Sequence, residues 1–227
     1  MKMKKGLLAL LCIVAIMASA IFGTLAYLTD AEAVVNTFSV GKVHLKLDEA
    51  PVDENGKETE GDRVHANEYH ILPGQTYDKD PTVTVLAGSE KSYVRILMTV
   101  YNASAVQAII DADNDSGNDV KDYANLFGGW ENGMWLYEDF TTDSVANTIT
   151  FEFRYYETVE GKKDGKDADV KLDPLFTELV VPGYVTKEQL QALENGTFKI
   201  ELVAHAIQAA GFDNADAAWA AFKSSTN

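Results

Sequence analysis

Four stretches of this chain alternate apolar and polar residues with a period of two. Val43, Leu45 and Leu47 alternate with Lys42, His44 and Lys46. Val94, Ile96, Met98 and Val100 alternate with Arg95, Leu97, Thr99 and Tyr101. Ile149, Phe151, Phe153 and Tyr155 form a third such stretch, and Phe198, Ile200, Leu202 and Ala204 a fourth. Successive side chains of a strand point to opposite faces, so this pattern describes strands packed on one side and wet on the other. Antiparallel sheets have this character, whereas parallel sheets are buried on both faces.

Shorter strands are expected at Thr82–Leu86, Met134–Tyr137 and Leu175–Val181, the last ending at the turn Pro182-Gly183. Helices are fewer. Ala103–Asp111 and Lys121–Phe127 flank an acidic loop. Thr186 and Gln189 form a capping box ahead of Lys187–Glu194, and Gly196 follows its end. Ala215–Lys223 carries Trp219 and Phe222 three apart, so one face of it docks. Asp48–Glu68 and Glu160–Asp169 read as loops. Many strands with few helices and no strand–helix alternation predict a mainly β fold: an antiparallel jelly roll or β-sandwich with a few short helices.

The N-terminus has a different grammar. Lys2, Lys4 and Lys5 precede an apolar run from Gly6 to Phe22, and small residues follow at Thr24-Leu25-Ala26. A basic start, an apolar middle and a small-residue step describe a secretory signal peptide. The expected domain plan is a signal peptide at 1–26 and one secreted domain at 27–227, with an acidic-loop insertion at 103–127. A membrane-spanning helix needs roughly 20 apolar residues, so contact with the membrane is expected only through an uncleaved signal peptide.

Loss of residues 1–26 removes three lysines and no acid, taking the formal charge from −16 to −19. Nucleic-acid binding needs Lys and Arg clusters against phosphate, which this balance excludes. The only cysteine, Cys12, lies inside the apolar run. The mature chain therefore has no disulfide and depends on its core, a metal or assembly.

Several stretches carry a family resemblance. Gly23-Thr-Leu-Ala-Tyr-Leu-Thr-Asp30 runs into Val35-Asn-Thr-Phe-Ser-Val-Gly41. Leu72-Pro-Gly-Gln75 and Tyr93-Val-Arg-Ile96 follow. The chain closes with Ala204-His-Ala-Ile-Gln-Ala-Ala-Gly-Phe212 and Ala217-Ala-Trp219. Together these resemble the TasA/camelysin family of Gram-positive bacteria, exported proteins processed by a dedicated signal peptidase. The resemblance covers both ends and the first third of the mature chain, and Asn102 to Gly183 only loosely. It implies a jelly-roll-like fold, a secreted or wall-associated product and a role in the fibres of a biofilm matrix. Some relatives carry a metallopeptidase label, so two functional readings compete.

The structural reading rests on residues 27–40. Tyr27, Leu28, Val34, Val35, Phe38 and Val40 form a weakly charged segment suited to add as a strand to a neighbour's sheet edge. The alternative is that it forms the first strand of its own sheet. A head-to-tail contact between copies gives an open filament.

The peptidase reading requires zinc ligands and a general base. The chain has no His-Glu-x-x-His. His65, Glu68 and His70 are the nearest approach, but at helical pitch the two histidines stand about 140° apart, and in a strand on opposite faces. The residues thus lean away from catalysis. A third reading places calcium in Asp111-Ala-Asp113-Asn-Asp115-Ser-Gly117-Asn-Asp119, with Asp122 in the last position, making a calcium-stabilised surface-binding module. Oxygen ligands at alternate positions suit Ca²⁺, although Gly117 lies one place late for an EF-hand loop and Asp122 is shorter than the usual Glu. Trp130, Trp135 and Tyr137 suit a sandwich core better than an exposed binding platform.

Overall fold

The computed structural model describes residues 43–113, 120–128, 130 and 133–225. All of these fall in one compact unit, Thr37–Asn227. Residues 1–26, where a signal peptide is expected, and residues 27–40 lie outside the described residues.

The chain is mainly antiparallel β with a few short helices. Its longest sheet has the order β11-β4-β6-β5, made from β4 (Ser92–Tyr101), β5 (Trp135–Asp143), β6 (Thr148–Tyr155) and β11 (Lys199–Gln208). A second sheet orders β1 (Leu45–Asp48), β3 (Thr82–Val85) and β9 (Val170–Lys171) as β1-β3-β9. A ribbon pairs β2 (Thr76–Asp78) with β10 (Glu178–Val180), and a small hairpin pairs β7 (Lys162–Lys163) with β8 (Lys166–Asp167). The helices are α1 (Ala103–Ile110), α2 (Lys187–Asn195) and α3 (Ala215–Ser225), with a 3₁₀ helix at Val120–Phe127.

Three of the four alternating stretches read from the sequence form the inner face of the long sheet, and the fourth falls on β1. Ile96 stands opposite Phe153 on one side and Ala204 on the other; Met98 stands opposite Phe151 and Leu202; Val100 opposite Ile149 and Ile200. Val83 and Val85 of β3, Tyr77 of β2 and Leu179 of β10 belong to the same apolar cluster. One core therefore serves both sheets. Its centre is aromatic: the Trp130 ring stacks on Phe127 and Tyr137, 6.0 and 6.1 Å away, and tilts against Phe151 at 4.8 Å. Trp130 and Trp135 are fully buried, and Trp135 Nε1 donates to Asp173 O at 2.8 Å.

Local signals act as the sequence predicts at α2. Thr186 Oγ1 accepts from Gln189 N at 3.2 Å, and Gln189 Oε1 accepts from Thr186 N at 2.9 Å, which closes the capping box.

Three expectations need correction. The strand expected at Met134–Tyr137 continues to Asp143. Tyr137 faces Phe153 and Phe140 faces Phe151, three residues against two, so the register shifts around Glu138. A bulge of this kind reverses the inward phase and hides the strand from a period-two search. The loop expected at Glu160–Asp169 contains the hairpin β7–β8. Asp164 and Gly165, at φ 52° and 75°, give its two-residue turn the left-handed pair that such hairpins require. All four of its strand residues are exposed, so no apolar rhythm marks it. Finally, Lys121–Phe127 belongs to a 3₁₀ helix rather than an α-helix.

Phe151→Ala removes the ring on which Tyr123 and Trp130 close, 5.2 and 4.8 Å away. It is expected to cost about 3–5 kcal/mol, measured as a lowered midpoint in urea unfolding.

Candidate functional site

The most distinctive surface feature is a gap between two strand edges. Among the described residues β11 pairs only with β4, so its other edge has no described partner along ten residues. β1 pairs, among the described residues, only with β3. His44 O accepts from Leu86 N at 2.9 Å, which fixes the even-numbered backbone groups of β1 toward β3. By strand alternation Leu45, Leu47 and Glu49 turn theirs to the opposite side, facing the gap.

That outer edge is partly covered by its own chain. Glu49 exchanges two backbone hydrogen bonds with Val64, at 2.9 and 2.8 Å. His65 Nδ1 meets Leu47 O at 3.1 Å, and Asn67 Nδ2 donates to Ala50 O at 2.8 Å. No strand pairs with the edge between Leu45 and Leu47 among the described residues.

A groove of about 540 Å³ lies along this gap. Leu47 and Pro81 line one side, Ile200 and Leu202 the other. These inward-facing apolar residues of β1 and β11 stay only half-buried, unlike Val94, Ile96, Met98 and Val100 on β4. Among the described residues the core is therefore open along this seam. Cα atoms of β1 and β11 come within 8 Å without pairing. Two strand spacings amount to about 9.6 Å, so a strand enters only if the seam widens.

Charge is concentrated at the β1 end of the groove. Lys79 Nζ and Glu49 Oε2 form a buried ion pair, with the Lys79 ammonium 5.5 Å from the Tyr69 ring centre. Asp48 is buried against Arg63 and Lys46, and Arg63 also donates to Asp80 Oδ2 at 2.7 Å. Burial alone would raise the Asp48 carboxyl, but hydrogen bonds from Lys46 and Arg63 hold it below the usual carboxylate range. Its folded-state contribution is present above the unfolded pKa and is lost as the pH falls through the folded value. None of Lys79, Glu49, Arg63 and Asp80 stood out in the sequence. Asp48-Glu49 closing a strand beside a lone Lys79-Asp80 was the available signal, and its partners are 30 residues apart.

The sites expected from the sequence fall elsewhere. His65, Glu68 and His70 are exposed, and His65 is engaged with the backbone of β1. In the acidic loop, Asp111 accepts from Gln107 Nε2 at 2.8 Å. Asp115 and Asp119 lie outside the described residues, as do Tyr27, Leu28, Val34, Val35, Phe38 and Val40. Among the described residues no group of three or more His, Cys, Asp and Glu side chains is placed to hold a metal ion. Nor is any helix among them long and apolar enough to cross a membrane.

Comparison with family models, with curated proteins and with solved structures finds no match for this chain.

Lys79→Met leaves Glu49 buried without its cation and is expected to cost about 3–5 kcal/mol. Adding Glu49→Leu removes the orphaned charge and is expected to restore most of that loss. Paired denaturation curves of the single and double variants check both.

Proposed function

We propose that this chain is a secreted structural protein, a subunit of a biofilm-matrix or cell-surface fibre that assembles by strand exchange. The observation that carries the reading is the open seam between β1 and β11. It offers what a donor strand needs: an edge ten residues long without a partner among the described residues, and half-buried apolar side chains that an added strand would cover. The donor is the segment Tyr27–Val40 of a neighbouring copy, freed when a signal peptidase removes residues 1–26. Its apolar residues then complete the neighbour's core, and its backbone completes the neighbour's ladder.

A donor segment of one copy entering the seam of the next is a heterologous contact, and it propagates as a filament. On this reading the two-sheet domain is a jelly roll of the TasA/camelysin type, with export to the matrix or wall surface. The cover supplied by Val64, His65 and Asn67 protects the edge of β1 in the monomer, as edge strands require. The need to widen the seam adds a barrier to premature pairing.

Purified Tyr27–Asn227 is expected to form regular filaments by negative-stain electron microscopy, and the same chain without residues 27–40 is expected to remain a folded monomer. A synthetic peptide of residues 27–40 should bind the shortened chain and stop wild-type filaments from growing. Filaments from the shortened chain would overturn the donor-strand reading.

A further inference from the structure

The outer face of the long sheet carries a polar row beneath α3. His205 on β11, Arg95 on β4 and Arg154 on β6 stand side by side across three strands. Arg95 is only 4% exposed. Its guanidinium carbon lies 4.5 Å from the Trp219 ring centre and 5.0 Å from that of Phe222, both on α3. A guanidinium against aromatic faces in a desolvated site is attracted by their π-electrons. Trp219 and Phe222 are buried there, so Arg95 is the bolt onto which the helix closes.

His205 holds that bolt. Arg95 Nε donates to His205 Nδ1 at 3.3 Å, and Arg95 Nη1 donates to Glu152 Oε2 at 3.3 Å. The His205 ring lies 5.0 Å from the Phe222 ring. A nitrogen that accepts from a guanidinium carries a lone pair, so the imidazole is neutral and its proton sits on Nε2. Adding a proton at Nδ1 replaces the acceptor by a donor and sets two cations in contact in a partly buried row.

The other charges near the row are on β6, α3 and β5. Glu152 on β6 accepts from Arg154 Nε at 2.9 Å; Arg154 Nη1 donates to Asp216 Oδ1 of α3 at 2.5 Å and stands 3.5 Å from Glu138 of β5. The outward neighbours of His205 on its own strand, Val203 and Ile207, are uncharged.

We propose that His205 is an acid-operated latch: its neutral form seats Arg95 under Trp219 and Phe222, and its protonation releases α3 from the sheet. Burial first, and the Arg95 charge second, push the imidazole down to about 4, with Glu152 opposing. The docked state therefore binds fewer protons than the released state between about pH 6.5 and pH 4. Docking is complete above that window and weakens as the pH falls through it. Release would expose the Trp219–Phe222 pair and uncover the sheet face beside Leu97 and Val203.

Hydrogen exchange on the full chain, corrected for intrinsic rates, tests this. Amides of 215–225 are expected to lose protection on the order of a hundredfold between pH 7 and pH 4, while β4 and β6 keep theirs. His205→Gln offers Arg95 an acceptor that does not titrate, and its helix is expected to stay protected across the window. Unchanged protection of 215–225 in the wild type would overturn the latch. Release of His205→Gln at the wild-type pH would assign the effect to Glu152 or Asp216 and overturn it too, as would simultaneous loss of β4 and β6. If the variant does not fold, the His205 Cε1–H resonance of the wild type decides. A titration midpoint shared with helix release supports the latch, and separate midpoints refute it.

Discussion

Strand β4 is paired along all ten of its residues with β11 and along seven of them with β6, and both faces of the molecule depend on that double pairing. Its inward side chains, Val94 to Val100, are almost fully buried and set the floor of the core. Its outward Arg95 anchors the C-terminal helix through two aromatic rings. A one-residue slip of β4 would exchange these roles, placing Arg95 in the core and valines under the helix. The aromatic cluster above β4 and the polar row below it hold the same register from opposite sides. The one cysteine of the sequence is Cys12, so residues 27–227 have no disulfide and that agreement takes the place of covalent staples.

Buried charge is used in two different ways. Around β1, Glu49–Lys79 and Asp48–Arg63–Asp80 tie a short strand to the segments on either side of it, where there is little apolar surface to do so. Such pairs add little net stability relative to apolar side chains, but losing one member is costly, which suits them to fixing geometry. Under α3 the charges form a chain from Arg95 through Glu152 and Arg154 to Asp216, with one uncharged titratable member, His205. The first arrangement shapes the open seam; the second governs whether a helix stays closed.

The open seam follows from strand length. β11 runs for ten residues, whereas β1 runs for four before its chain turns into the segment that bridges back at Val64. The two sheets share one core, yet they end at different places along it. Ile200 and Leu202 of β11 and Leu47 of β1 are left half-buried at the mismatch. An apolar seam of this kind is the physical basis of the proposed strand exchange.

The sequence by itself determined the local phases. Period-two runs fixed which residues of β4, β6 and β11 face inward, Thr186 and Gln189 fixed the start of α2, and Trp219 with Phe222 marked the docking face of α3. These features depend on neighbours within a few residues, so the chain spells them out directly. The tertiary structure alone decided which strand edges have no partner among the described residues, that Glu49 meets Lys79 across 30 residues, and that Arg95 meets His205 across 110. The sequence around His205 does not contain Arg95, its partner charge 110 residues away. The bulge at Glu138 and the exposed hairpin β7–β8 were hidden for a related reason: pairing with another strand, rather than apolar rhythm, defines them. Contacts between distant segments depend on how two sheets come together, and no window along the chain contains both sides.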